Sequence, residues 1–336
     1  MNLAATLECG QAFRWRKACF PGRPDLVAAY TGVIPVGRTT GTARREIVSA
    51  SEIAPCSRIT PRQLAVYVGQ AEPVTSKIMV AYDPTYAQDD TGLAEPQPCA
   101  CSHGEQPADP PPVGHISDAV RLYFAADDDV AAIEAEVARL DSVMAGAVKE
   151  AHGLRILRQD HWECLASYVL SINNNIPNIS RIVEHFSLCL GEPVGLGLHS
   201  FPPPEKIACQ DSGFLRQSKC GFRDRYLKDA AERVASGEVD LTGLERMPTE
   251  QARERLMRIR GVGPKVADCV LLFGYHRLDV FPSDVWISRA MSRYYLGGGA
   301  VTPKMAREEG MRRFGPLAGY AQEYLFWRAR GDDSLR

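Results

Sequence analysis

Residues 259–284 read IRGVGPKVADCVLLFGYHRLDVFPSD, and this stretch decides the fold. Gly261 and Gly263 bracket Val262 in a tight turn, which calls for residues that tolerate positive φ and let the backbone come close to a ligand. A phosphate suits such a place. The amides of the turn and of the first turn of the following helix point outward, and the helix dipole favours an anion there. Upstream, residues 249–258 are charged and helix-forming; downstream, 266–273 carry apolar residues at helical spacing. The order is helix, hairpin, helix. Pro282, Ser283 and Asp284 then open a further helix over 284–295, with Asp284 at or beside its N-cap. The connection before it is short enough to fold that helix back, so Lys265 and Asp284 are expected to face each other beside the hairpin.

Each of these features alone has an ordinary structural reading: a weak glycine pattern, a solvated lysine, a capping aspartate. In this order and spacing they resemble the helix-hairpin-helix DNA glycosylases, in which a Gly-Val-Gly hairpin precedes a nucleophilic lysine and a later aspartate. Two further stretches narrow the resemblance to the 8-oxoguanine DNA glycosylases. Gly10-Gln11-Ala12-Phe13-Arg14-Trp15 is similar to their N-terminal signature, and Ser171-Ile172-Asn173-Asn174-Asn175-Ile176 to their asparagine-rich turn. Gly221-Phe222-Arg223 and Gly319-Tyr320-Ala321-Gln322 with Leu325-Phe326 follow in the family's order. The resemblance is loose over residues 1–83 and close over 116–330.

The resemblance implies a division of labour. A base inside a duplex cannot be reached, so such an enzyme extrudes the nucleotide, fills the gap and reads the base in a pocket. Asn173 would enter the vacated space, Phe222 would wedge into the stack and Arg223 would reach toward the partner base. The lesion differs from guanine by an oxygen at C8 and a hydrogen on N7, so a fixed carbonyl, that of Gly10, can tell them apart. Gln322 would read the Watson–Crick edge, and Phe326 with Cys269 would sandwich the ring. Lys265 would attack the sugar C1′ and Asp284 would stabilise the positive charge developing there, while Gly261, Val262 and Gly263 would hold a DNA phosphate. The lysine implies strand cleavage as well as base release. Departures from the eukaryotic members fall at Asn178, Trp286 and Ala329, where those members carry arginine, histidine and aspartate.

Composition agrees with a DNA-acting enzyme once charge is resolved along the chain. The whole carries −2. Residues 1–150 hold 13 basic against 19 acidic side chains, whereas 151–336 hold 26 against 22, leaving the hairpin half positive. No run approaches the roughly 20 apolar residues of a membrane span, and the first residues lack a basic-then-apolar leader. The ten cysteines, from Cys9 to Cys269, lack paired spacing and are expected to be reduced. Cys99-Ala100-Cys101-Ser102-His103 has no second ligand pair of standard spacing, and no cysteine follows Cys269, so neither a metal nor an iron–sulfur cluster is expected. A monovalent cation could sit at the hairpin.

The expected fold is α+β: an antiparallel β-rich domain over 1–125, with an irregular insertion at 84–114, packed on a larger helical domain over 126–336. Helical patterns fall at 116–125, 129–151, 160–172, 176–190, 204–209, 212–218, 224–236, 249–258, 264–275, 284–295, 303–313 and 316–329. The expectation is a monomeric bifunctional 8-oxoguanine glycosylase and abasic-site lyase of base excision repair, acting on duplex DNA that contains oxidised guanine. It would be cytoplasmic in a bacterium and nuclear in a eukaryote. The rivals are a glycosylase for alkylated or other damaged purines, and a non-catalytic helix-hairpin-helix DNA-binding protein.

Overall fold

The computed structural model describes residues 2–17, 28–35, 63–70, 79–81, 113–195 and 198–335. Four short antiparallel strands, β1 (Arg16–Lys17), β2 (Ala28–Pro35), β3 (Gln63–Gln70) and β4 (Met79–Ala81), form one sheet in the order β1-β2-β3-β4. The long central pair runs in unbroken register from Ala28 opposite Gln70 to Pro35 opposite Gln63. The Cys99–His103 cluster and most of the 84–114 insertion lie outside the described residues.

From residue 113 onward helices dominate. Those that build the site are α5 (His161–Leu170), α6 (Ile176–Leu190), α9 (Asp224–Ala235), α10 (Thr249–Leu256), α11 (Pro264–Tyr275), α12 (Val285–Tyr295), α13 (Pro303–Phe314) and α14 (Ala318–Gly331). The helical pattern at 129–151 proves to be two helices, α3 (Val130–Leu140) and α4 (Ser142–Glu150). Asp141 divides them: its backbone is extended, at φ −169° and ψ 174°, and its carboxylate caps the Met144 amide at 2.8 Å. A side chain that satisfies a free amide of a new helix outweighs continuation of the old one. Two further elements escape periodicity because they are too short to show it: the helix α1 (Leu3–Glu8) and a hairpin of β5 (Pro193–Gly195) with β6 (Leu198–His199).

One apolar core runs through the helices and takes in residues from the N-terminal segment. Ala5 and Phe13 belong to it together with Leu165, Val169, Phe186, Val270 and Leu325. Gln11 fastens this segment. Its side-chain amide donates to the carbonyls of Thr6 (2.7 Å) and Arg155 (2.8 Å), and its oxygen accepts from the Leu157 amide at 2.7 Å. The signature glutamine is therefore a buried staple joining the start of the chain to the helical body.

Two charged knots brace the hairpin helices. Asp268 on α11 is fully buried between Arg253 of α10, at 2.6 Å, and Arg307 of α13. At the far end of α11, His276 adopts a left-handed cap conformation, and its Nε2 lies 2.8 Å from Asp128. The same carboxylate accepts from Tyr320 at 2.9 Å and from Arg158 at 2.9 Å. Burial pushes the Asp128 carboxyl up, but these donors outweigh it and hold it below the usual carboxylate value.

Candidate active site

The hairpin forms as the glycine spacing requires. Gly261 has φ +86°, and the space a Cβ would take is already filled by the Tyr226 ring at 2.8 Å. Both the dihedral and the close approach demand glycine. Val262 is buried under the turn and its amide donates to Ile259 at 3.0 Å. Gly263 precedes α11 with no protein atom within 4 Å of the place a Cβ would occupy. That open face, in front of the free amides of α11, fits an approaching phosphate.

Lys265 projects from the first turn of α11 over the Tyr168 ring, with Nζ 5.4 Å from the ring centroid. Asp284 is the N-cap of α12, as its position before that helix suggested, with Oδ1 accepting from the Ile287 amide at 2.9 Å. Cys269, one helical turn beyond Lys265, lies within the electrostatic reach of both. Burial pushes its thiol up to about 12, with Lys265 pulling the other way, so it is a neutral apolar wall.

Tyr168 joins the N-terminal segment to this centre and was not singled out from sequence, because a tyrosine among apolar helix residues reads as core. Its hydroxyl lies 3.1 Å from the Gln11 carbonyl and 3.5 Å from that of Gly10. One hydroxyl proton serves the nearer carbonyl, which leaves the Gly10 oxygen with accepting capacity. Gly10 itself has φ +88°, and a Cβ there would meet Ile176 at 2.8 Å and Phe326 at 3.9 Å. Thus Gly10, Phe326, Tyr168, Lys265, Cys269 and Asp284 are linked into one locale from four distant parts of the chain.

Gln322 and Glu323 sit on α14, at 4% and 3% exposure. Gln322 Oε1 is buried without a hydrogen-bond partner. Glu323 went unnoticed in the sequence, since a glutamate in a helix is ordinarily solvated.

The asparagine turn lies before α6. Asn173 is exposed, with φ +48°, while Asn175 caps α6 through the Asn178 amide at 2.9 Å. Phe222 is 40% exposed, a large ring left in the open near Tyr226. Arg223 lies against this ring, its Cζ 4.6 Å from the Phe222 centroid, but turns inward instead of reaching into solvent. Its guanidinium is buried and donates to the carbonyls of Ile172 (2.6 Å), Cys220 (3.1 Å) and Asn173. In this arrangement it clamps the strained Asn173 turn. Arg181 reaches back to the Asn178 side-chain oxygen at 2.9 Å. Ala329 forms a small apolar cluster with Ala290 and Leu335, against which the partly buried Trp286 packs.

Comparison with known proteins places this geometry. Residues 1–165 match the family described as 8-oxoguanine DNA glycosylase, N-terminal domain. The probable N-glycosylase/DNA lyase of Methanothermobacter thermautotrophicus is 31% identical over 213 residues, covering 56% of this chain and 68% of that protein. Among solved structures, MBOgg1 in complex with a low-affinity DNA ligand superposes with a TM-score of 0.75 at 32% identity, over 98% of this chain and 92% of that one. The Clostridium acetobutylicum 8-oxoguanine glycosylase/lyase, bound to duplex DNA with cytosine opposite 8-oxoguanine, gives 0.73 at 27% identity, again over 98% and 92%.

Proposed function

This chain belongs to the 8-oxoguanine DNA glycosylase family, and on that premise we propose that it removes 8-oxoguanine from duplex DNA and cleaves the strand at the resulting abasic site, with Lys265 as nucleophile. The observation that carries this reading is Lys265 at the head of α11, beside the hairpin and in one electrostatic neighbourhood with Asp284 and Cys269.

In the proposed cycle the hairpin of Gly261, Val262 and Gly263 holds a phosphate through its glycine amides, with the Val262 amide closing the turn on Ile259, while Phe222 enters the stack and Asn173 fills the gap left by the extruded nucleotide. The base enters between Phe326 and Cys269. Its N7–H meets the Gly10 carbonyl, which guanine's unprotonated N7 would leave unpaired, at a cost of about 1–3 kcal/mol. Gln322 meets the Watson–Crick edge. The Lys265 lone pair forms a bond to C1′ as the glycosidic bond breaks, and the base leaves with the electrons of the broken C1′–N bond and takes a proton. Asp284 stabilises the positive charge on the sugar. Opening of the ring yields a Schiff base, and loss of a proton from C2′ then expels the 3′ phosphate.

The organisation we propose is an antiparallel β-rich domain over 1–125 and the helical catalytic domain over 126–336, with residues 2–15 contributing to the latter's core and pocket. The acting form is a monomer on DNA containing oxidised guanine. The chemistry needs no redox cofactor, and a monovalent cation at the hairpin would help bind phosphate. Among the described residues no helix is long and apolar enough to cross a membrane. The place of action is where the DNA is: cytoplasm in a bacterium, nucleus in a eukaryote.

Borohydride trapping on duplexes with one 8-oxoguanine opposite each of the four bases tests the proposal, with wild type and Lys265→Gln side by side. A covalent adduct in wild type alone is expected. Absence of an adduct with DNA binding retained would reject the lysine mechanism and favour the DNA-binding rival, whereas release of alkylated purines without cleavage would favour the other glycosylase.

A further inference from the structure

Tyr168 stands between the two ends of the proposed chemistry. It lies on α5 at 3% exposure, and its ring meets Phe13 edge-on at 5.5 Å and runs nearly parallel to Phe273 of α11 at 5.6 Å. A ring packed in this way keeps one orientation. Phenylalanine would fill the same space. The hydroxyl is what this chain adds, and a buried hydroxyl costs free energy unless it is bonded. Its partners are two successive carbonyls, Gln11 at 3.1 Å and Gly10 at 3.5 Å. The Gln11 oxygen also accepts from Gln159 Nε2 at 2.6 Å, so that carbonyl is held by two donors. Among the described residues the Gly10 carbonyl has no donor nearer than the Tyr168 hydroxyl.

We propose that Tyr168 is a positioning residue with two separable parts: its hydroxyl, together with Gln159, pins the Gln11 carbonyl and so fixes where the Gly10 oxygen points, and its ring face holds the Lys265 side chain in place for attack. The inference rests on the reading that Gly10 meets N7 of the extruded base. Gly10 has φ +88° and no side chain, so its peptide would otherwise swing freely. A carbonyl tells N7–H from a bare N7 only if it cannot turn away. Pinned, it repels the lone pair on guanine's N7; free, it moves aside and the penalty on guanine disappears.

The ring does the second task. Lys265 Nζ lies 5.4 Å from its centroid, inside the distance of about 6 Å over which the negative face of an aromatic ring attracts a cation. A lysine carries its amine on a long flexible stem and loses much rotamer freedom when held. The ring face supplies an attraction that favours one placement. Because hydroxyl and ring belong to a single rigid plane, the carbonyl that reads the base and the amine that attacks the sugar keep fixed mutual places.

The hydroxyl is tested by competition binding in the Lys265→Gln background, where no base is released, with duplexes carrying 8-oxoguanine or 8-bromoguanine. Both bases have the same Watson–Crick edge and a substituent at C8, but N7 is a donor in the first and an acceptor in the second. Adding Tyr168→Phe is expected to lower the preference for 8-oxoguanine roughly 3- to 10-fold, one hydrogen bond's worth, mainly by tightening the hold on 8-bromoguanine. The ring is tested with Lys265 in place, by the rate of borohydride trapping on preformed abasic DNA, which has no base to read. Tyr168→Phe should trap near the wild-type rate. The same substitution made with a fully fluorinated phenylalanine, alike in shape but reversed in ring quadrupole, should trap roughly 3- to 30-fold more slowly. Phe273→Leu loosens the same packing and leaves both parts of Tyr168, so it should move neither readout. An unchanged preference in Tyr168→Phe overturns the hydroxyl's part, and equal trapping by the two phenylalanine forms overturns the ring's. Either loss reproduced by Phe273→Leu reduces Tyr168 to packing and overturns both. If the Lys265→Gln protein with Tyr168 intact shows no preference for 8-oxoguanine, the Gly10 reading beneath the proposal fails; if wild type does not trap, the Lys265 reading fails. The proposal falls with either.

Discussion

Asp284 carries two tasks on one carboxylate: it caps α12 through the Ile287 amide and stands in the catalytic neighbourhood. The tasks separate on substitution. Asparagine caps a helix as well as aspartate does, so Asp284→Asn is expected to keep the melting temperature of wild type. With the charge gone, base excision should slow by roughly 100- to 1,000-fold in single-turnover assays, the range seen when one electrostatic stabiliser is removed. An equal loss of thermal stability would show that the residue's role is structural. Gly261 gives the complementary case, where function follows from backbone shape. An alanine there would have to hold φ +86° and push into the Tyr226 ring at 2.8 Å. We expect Gly261→Ala to cost about 1–3 kcal/mol in chemical denaturation. It should also weaken DNA binding, because the hairpin amides would no longer converge.

The elements are placed by their ends more than by their middles. α6, α11 and α12 all begin at the site, presenting Asn175, the Gly263–Lys265 turn and Asp284. The positive dipole end of a helix suits an anion, and the open turn before α11 is where a DNA phosphate is proposed to sit. α14 contributes its interior instead, with Gln322 and Phe326 one turn apart. Asp141 shows how firmly a cap sets an element. It accepts from Met144 and from the Tyr295 hydroxyl at 3.2 Å, tying the start of α4 to the end of α12. Asp141→Ala is predicted to destabilise the fold by about 1–2 kcal/mol, while Asp141→Asn should retain most of that contribution. Equal melting temperatures for wild type and Asp141→Ala would remove the cap from the account of why 129–151 is broken.

At the scale of the whole molecule, buried ionisable groups hold the helical body in one arrangement. Asp268 is fully enclosed by two arginines from neighbouring helices. Neutralising it takes the carboxylate from Arg307 and leaves Arg253 with Glu250 alone, so Asp268→Asn is expected to lose about 3–5 kcal/mol of unfolding free energy. Glu323 makes stability depend on pH. Its folded value is raised to about 7, above that of an unfolded glutamate. The folded state therefore holds its proton more tightly, and this contribution is complete below about pH 4.5 and lost as pH rises toward 7. The melting temperature of wild type should fall relative to that of Glu323→Gln across that window, by an amount worth a few kcal/mol at most. Parallel curves would mean that the carboxyl is not perturbed by the fold.

How much was legible in the chain follows from the range over which each signal acts. The hairpin, the helix starting at Asp284 and α6 itself are local, because turn dihedrals, capping and 3.6-residue periodicity are written in neighbouring residues. The family and its reaction class were readable for the same reason, from short motifs in a set order. The break at Asp141, the Tyr168 bridge between Gly10 and Lys265, the burial of Arg223 beneath the Asn173 turn and the enclosure of Glu323 were not. Each depends on residues far apart in sequence arriving in one place, and only packing decides whether a tyrosine is core or platform, whether an arginine reaches out or clamps a turn, and whether a glutamate is solvated or buried. The sequence by itself determined which chemistry the chain carries, since that is a matter of residue types and local turns; the tertiary structure decided which groups share a low-dielectric space.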